Sequence, residues 1–226
     1  FQLQDCQPDV LSLREKLLRK ARVILLKLSP MLDWHAAVHQ LDCVREVHIV
    51  ATGNECKELL LVCSPEQIGD GNVCCVNNGL RFCFPMETTP NTGLKTSQEI
   101  HMEDFLYEPN AAVMKGGCFG MLCEKYKVVA LGHDSHLFTS PIMIDDFPGR
   151  RFRIKAVSSF NKKELNRNLS NIKQANIAVR HFPLSANELR KRLKLRDGGD
   201  TYLFATTFQP SSTSRQEHIL MITEKA

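Results

Sequence analysis

Apolar residues recur at helical spacing after Cys6, at Val10, Leu13, Leu17, Leu18 and Ala21, with Arg14, Lys16, Arg19 and Lys20 on the other face. This predicts an amphipathic helix, with Pro8 suited to its first position. The run Val23, Ile24, Leu25, Leu26 has no period and predicts a strand buried on both faces, hence a sheet covered by helices. Met31, Trp34, Ala37, Val38 and Leu41 trace a second helix. Strands follow over Val44 to Val50 and Leu59 to Val62, separated by a turn at Gly53 and Asn54. The order helix, strand, helix, strand, strand reads as the second half of a doubly wound α/β unit, in which ligands sit at the carboxyl ends of the strands.

Beyond a surface loop over Ser64 to Asn72, Val73 to Phe84 reads as one or two strands and Pro85 to Gly93 as a linker rich in Pro and Thr, where the domain boundary is placed. Strands are expected at Val128 to Leu131, Arg151 to Val157, Ile177 to Phe182, Thr201 to Phe208 and His218 to Thr223, forming a mixed sheet. Leu165, Leu169 and Ile172 form a stripe opposite Lys162, Lys163, Arg167 and Lys173. Ser185 and Glu188 make a capping-box pattern for a helix through Leu195 that Gly198 and Gly199 stop.

Composition narrows the class. At 226 residues and 43% hydrophobic content the chain can bury a full core, and its apolar runs are too short to span a bilayer, so a soluble protein with no membrane partner is expected. It opens on Phe1 with no signal-peptide pattern, which reads as the start of a fragment in a cytoplasmic protein. Nine cysteines, with no CxxC pair and an odd count, read as reduced core residues. The net charge of +4 conceals an asymmetry: residues 150–200 hold fourteen lysines and arginines against four acids, a local +10. Concentrated basic charge is the footprint of a phosphate-backbone binder, although charge runs also serve as plain solvated faces.

Common catalytic spacings are absent: there is no GxSxG, HExxH, phosphate loop or GxGxxG after a strand. The cleft candidates are Lys27, Ser29, Pro30 and Asp33, just past the first strand, and Glu55 and Lys57, which crowd charge beside another. The plainer readings are that Ser29 caps the next helix with Pro30 at its first position, and that Glu55 and Lys57 are solvated turn charges. His35 and His39 share a helix face, but no third ligand accompanies them and no metal is expected. The nucleic-acid candidates are Arg150, Arg151, Arg153, Lys162, Lys163, Arg167, Arg180, Arg190, Lys191, Arg192 and Lys194, with Arg196 in the same crowd. Phe152, Phe160 and Phe182 are interleaved as core or stacking residues. Tyr107, Glu108, Pro109 and Lys115 either line a groove or begin a helix.

Several strings in order, KLSPMLD (27–33), NECKELLLV (54–62), LYEPNAAVMKGG (106–117), HLFTS (136–140), FPGRRFRI (147–154) and RHFPLSANELRKRLKLRDGGDTYLFAT (180–206), carry a resemblance over nearly the whole chain. It resembles the bacterial class I S-adenosylmethionine-dependent methyltransferases with a THUMP-like C-terminal domain. The resemblance implies an α/β fold: the C-terminal half of a Rossmann-like methyltransferase sheet over residues 1–85, followed by a smaller α+β THUMP-like domain over 94–226. It also implies methyl transfer to RNA, tRNA or rRNA, with S-adenosylmethionine as cofactor of the full-length protein and the KLSP strand end lining the cleft. The family's glycine-bearing cofactor loop and Asp-Pro motif do not occur here, so the chain alone is expected to be catalytically incomplete and to need the N-terminal half as a partner. Two other readings stand beside it: a non-catalytic RNA-binding module, and an interaction protein whose basic helix meets an acidic domain.

Overall fold

The computed structural model describes residues 2–89, 92–211 and 213–226. The chain divides into two compact units, Phe1–Pro90 with Asn110–Cys118, and Asn91–Pro109 with Phe119–Ala226.

The first unit is a five-stranded sheet in the order β1-β3-β2-β4-β5, from β1 (Ile24–Leu28), β2 (Val44–Thr52), β3 (Glu55–Cys63), β4 (Asn72–Asn77) and β5 (Leu80–Pro85). β3 lies antiparallel between β1 and β2, so these two run parallel, joined across it by α2 (Trp34–Leu41); β4 is parallel to β2. This is the α/β arrangement expected. Ile24, Leu26 and Leu28 point inward, towards α1 (Val10–Leu18) and α2, where Leu41, Cys43 and Cys63 meet them.

Three expectations are corrected here. β1 is an edge strand that alternates, presenting Leu25 at 62% exposure, with Val23 just before it at 50%. An unbroken apolar run does not distinguish two covered faces from one, and here one face is open. Helix α1 begins at Val10 because Asp9 accepts from the amides of Leu11 and Ser12, which places Pro8 before the cap. Cys74 and Cys83, opposite one another on β4 and β5, form a disulfide, against the expectation of reduced thiols throughout. The linker expected at Pro85 to Gly93 includes residues 90 and 91, outside the described ones; Pro85 itself ends β5. Helix α3 (Ala111–Gly116) also belongs to this unit, and a Cβ on Gly116 would meet Cys75 Sγ at 2.6 Å, so glycine permits the helix to lie against β4.

The second unit is a seven-stranded sheet in the order β10-β11-β12-β9-β6-β8-β7, from β6 (Phe105–Pro109), β7 (Val129–Ala130), β8 (Phe138–Ser140), β9 (Gly149–Ser159), β10 (Asn176–Arg180), β11 (Thr201–Phe208) and β12 (Glu217–Lys225). α4 (Phe119–Tyr126) precedes β7. β9 leads through α5 (Lys162–Leu169) to β10, and β10 through α6 (Ala186–Leu193) to its parallel neighbour β11. β12 then returns antiparallel between β11 and β9. A bulge opposite Ile222 and Thr223 lets Ile154 and Val157 share one face although they are three residues apart.

The two faces have separate cores. Leu106, Leu131, Leu137, Phe152, Ile154, Phe204 and Met221 pack on one, while Leu203, Ala205, Leu220 and Ile222 meet Leu165 of α5 and Leu189 of α6 on the other. The sheet coils around the first core: the Gln209 amide, just past β11, donates to the Leu131 carbonyl, just past the far edge strand β7. Fully burying each such leucine or phenylalanine contributes about 1.5–3 kcal/mol relative to exposure.

Candidate nucleic-acid interface

The basic segment spans β9 to α6 on the second unit. Its helices are started by its own acids. Asn161 Oδ1 accepts from the Glu164 amide at 2.9 Å, and Glu164 Oε2 accepts from the Ser159 amide at 2.9 Å and its hydroxyl at 2.7 Å. The capping box expected at Ser185 forms, with Glu188 Oε2 accepting from the Ser185 amide at 2.8 Å. The serine hydrogen bonds hold both glutamates below the usual carboxylate range. α6 ends at Lys194, which takes a left-handed conformation at φ 57°, before Gly198 and Gly199 are reached.

With these acids committed to caps, the predicted cations sort into two groups. Those on the strands are paired: Arg150 and Arg180 with Glu108, Arg151 with Asp145 at 3.0 Å, and Arg153 with Glu103 at 3.1 Å. The Arg153 hydrogen bond lowers the Glu103 pKa. On α6, Arg190 pairs with Asp197. Lys162, Lys163, Arg167, Lys173, Lys191, Arg192, Lys194 and Arg196 make no ion pair among the described residues, and all are exposed.

Lys162, Asn166 and Ser170 of the α5 side face Arg192 and Lys194 of the α6 side across a cavity of about 570 Å³ whose remaining lining is Leu165, Leu169 and Leu193. The Arg192 guanidinium lies 4.7 Å over the Phe160 ring, which meets Phe182 edge-on at 5.0 Å. Of the interleaved aromatics, Phe152 is fully buried, while Phe160 and Phe182 pack partly buried against the α5/α6 core.

The other candidates do not converge on this region. Tyr107 and Glu108 are buried in β6. The Tyr107 hydroxyl donates to the Ile142 carbonyl at 2.8 Å and accepts from the Ile144 amide at 2.9 Å, and burial raises its pKa. Pro109 ends β6, and Lys115 of α3 donates to the Leu32 carbonyl at 2.8 Å.

In the first unit most of the cleft candidates make local contacts. Lys27 pairs with Glu58 at 2.7 Å, Lys57 with Glu55 at 2.5 Å, and Ser29 accepts from the Met31 amide. Asp33, rather than Ser29, caps α2 through the amides of His35 and Ala36, so Pro30 lies before the helix. His35 stacks on Trp34 at 3.5 Å. No group of three or more His, Cys, Asp or Glu suited to a metal occurs among the described residues. No described helix is long and apolar enough to cross a membrane.

Among the described residues of this unit, the cavities below do not suit S-adenosylmethionine. Two measure about 10 and 40 Å³, and one of about 310 Å³ is lined by Val44, Arg45, Gly71 and Pro85. That cavity lies at the amino ends of β2 and β4, whereas α/β sheets bind ligands at the carboxyl ends.

Comparison with known proteins agrees with this architecture. Residues 149–225 match the THUMP domain-like family and residues 105–148 match a ferredoxin-like domain. A crystal structure of a "putative methyltransferase from Porphyromonas gingivalis W83" superposes with a TM-score of 0.87 at 32% identity, over 100% of this chain and 57% of that one. The chain therefore spans little more than half the length of that structure. No curated protein matches the chain. Residues 149–225 are thus similar to THUMP domain-like domains, and the chain as a whole is similar in fold to that structure.

Proposed function

We propose that this chain is the RNA-presenting part of an S-adenosylmethionine-dependent RNA methyltransferase whose donor-binding segment lies outside these 226 residues. The observation that carries the reading is the set of eight exposed cations on and around α5 and α6 of the THUMP-like domain that make no ion pair among the described residues. Unneutralised charge concentrated on one surface attracts a phosphate backbone, with tRNA or rRNA as the substrate class. Likeness to a methyltransferase-type structure supplies the reaction class. The open edge of β1, with Leu25 and Val23 exposed beside it, supports a further strand pairing there in the longer protein.

Methyl transfer needs the donor carbon held in line with its acceptor, and positioning supplies most of the rate. No residue of this chain is assigned to that step. The test is incubation of the full-length protein with methyl-labelled S-adenosylmethionine and cellular RNA. Label in RNA, with the 226-residue chain binding RNA but transferring nothing, is the expected result. Tight donor binding by the 226-residue chain itself would overturn the division of labour.

A second reading, an RNA-binding module without catalysis, is favoured by one observation: the cleft candidates other than Pro30 are engaged in local pairs, a turn and a cap. The same incubation separates it, because it predicts no label in RNA from the full-length protein.

A further inference from the structure

We infer that the cavity between α5 and α6 is a binding site for one unpaired nucleotide, its base against the leucines and its phosphate on the cations. The inference deepens the RNA reading and rests on it for the source of the nucleotide.

Three features of the cavity converge. Its volume, about 570 Å³, lies within the range of about 300–1,000 Å³ typical of small-molecule sites. Leu165, Leu169 and Leu193 give it an apolar lining, which suits the face of a base released from stacking and does not suit the charged exterior of a duplex. Lys162, Arg192 and Lys194 stand at that lining with no ion pair among the described residues, and Asn166 and Ser170 add a carboxamide and a hydroxyl able to bond base edges or ribose. Arg192 is held over Phe160, so its guanidinium is oriented before a ligand arrives, which lowers the entropy lost on binding.

The neighbouring strand arginines cannot take this role without giving up an existing acid partner, since Arg150, Arg151, Arg153 and Arg180 are all paired. Lys163, Lys173 and Lys191 are also unpaired but do not line the cavity, which provides a control of matched charge.

The experiment titrates the chain with three probes: a short single-stranded RNA, the same sequence annealed as a duplex, and AMP. Two variants accompany it, K162Q/R192Q/K194N and the control K163Q/K173Q/K191Q; asparagine at 194 suits the left-handed backbone there. Both remove three exposed positive charges, and circular dichroism confirms that each folds. The expected result is that single-stranded RNA binds more tightly than duplex and that the cavity variant loses about tenfold or more while the control loses clearly less. AMP bound with the same dependence on the cavity residues, and no RNA bound, would support the nucleotide site while overturning the RNA reading. RNA binding with no strand preference and equal loss in both variants would overturn the nucleotide site and leave the RNA reading standing. Binding of none of the three would overturn both.

Discussion

Arg180, at the end of β10, donates to Glu108 Oε1 of β6 at 2.5 Å, although three strands separate β10 from β6 in the sheet. Only a strongly coiled sheet brings such strands together, and Arg150 closes on the other oxygen of the same carboxylate, through Nε at 2.7 Å. A Cβ on Gly149 would lie 2.1 Å from the Glu108 carbonyl oxygen, so the glycine of FPGRR is what lets β9 approach β6 here. Two residues read from sequence as RNA contacts thus serve first to hold the second unit together.

Replacing Glu108 with Gln should therefore be costly. The carboxylate is buried with only 3% of its side chain exposed, but both arginines reach solvent and can rehydrate. The cost should fall at or below the lower end of the range for breaking buried pairs, about 2–3 kcal/mol. Urea unfolding measures it, and a midpoint unchanged from wild type would show that the carboxylate does not close the coil.

His136 gives the second unit a pH dependence. Burial lowers its pKa below the ordinary 6.5, Arg180 and His181 push the same way, and Asp134 opposes. The folded state then binds this proton less readily than the unfolded chain. The stability contribution is full above the unfolded value and declines as pH falls through the lowered native one. NMR should place the His136 midpoint below 6.5, and acidification should weaken wild type more than H136N, whose asparagine tolerates the left-handed backbone at φ 50°. Parallel pH curves for the two proteins would refute this.

Cys75 should be unreactive in the native first unit. Burial pushes its thiol up to about 12, with Cys56 and Cys118 adding in the same direction. The thiolate is the nucleophile, so alkylation at neutral pH should reach Cys6 and Cys56, the cysteines outside the disulfide that are not buried, well before Cys75. Peptide mapping after a timed iodoacetamide pulse reports the order, and early labelling of Cys75 would contradict the packing of α3 on β4.

Leu25 marks the open edge. Leu25→Lys should leave unfolding free energy within about 0.5 kcal/mol, because the side chain is exposed. It should also reduce self-association at high concentration, read by light scattering, since a charged edge resists pairing. A drop in stability of several times that size would mean that this face is covered within the chain.

Legibility in the sequence followed the strength of the local signal. The Ser185 box, the stripe of α5 and the apolar runs of β11 and β12 mark their elements within a few residues, and all appear in the structure. β6 and β8 were not legible: their five and three residues are wholly buried, so no alternation marks them. The division of the cations was hidden for a different reason. Glu103 and Glu108 precede Arg153 and Arg180 by 50 and 72 residues, and nothing local signals those pairs. The acids inside the basic segment were visible, and two of them, Glu164 and Glu188, are taken up by capping hydrogen bonds rather than by ion pairs among the described residues.

The most direct measurement is the salt dependence of RNA binding by this chain. Neutralising three to five phosphates with the unpaired cations of α5 and α6 predicts that log K falls against log salt with a slope of about −2 to −4 for single-stranded RNA. A slope near zero, or no binding at low salt, would contradict the assignment of this face to RNA.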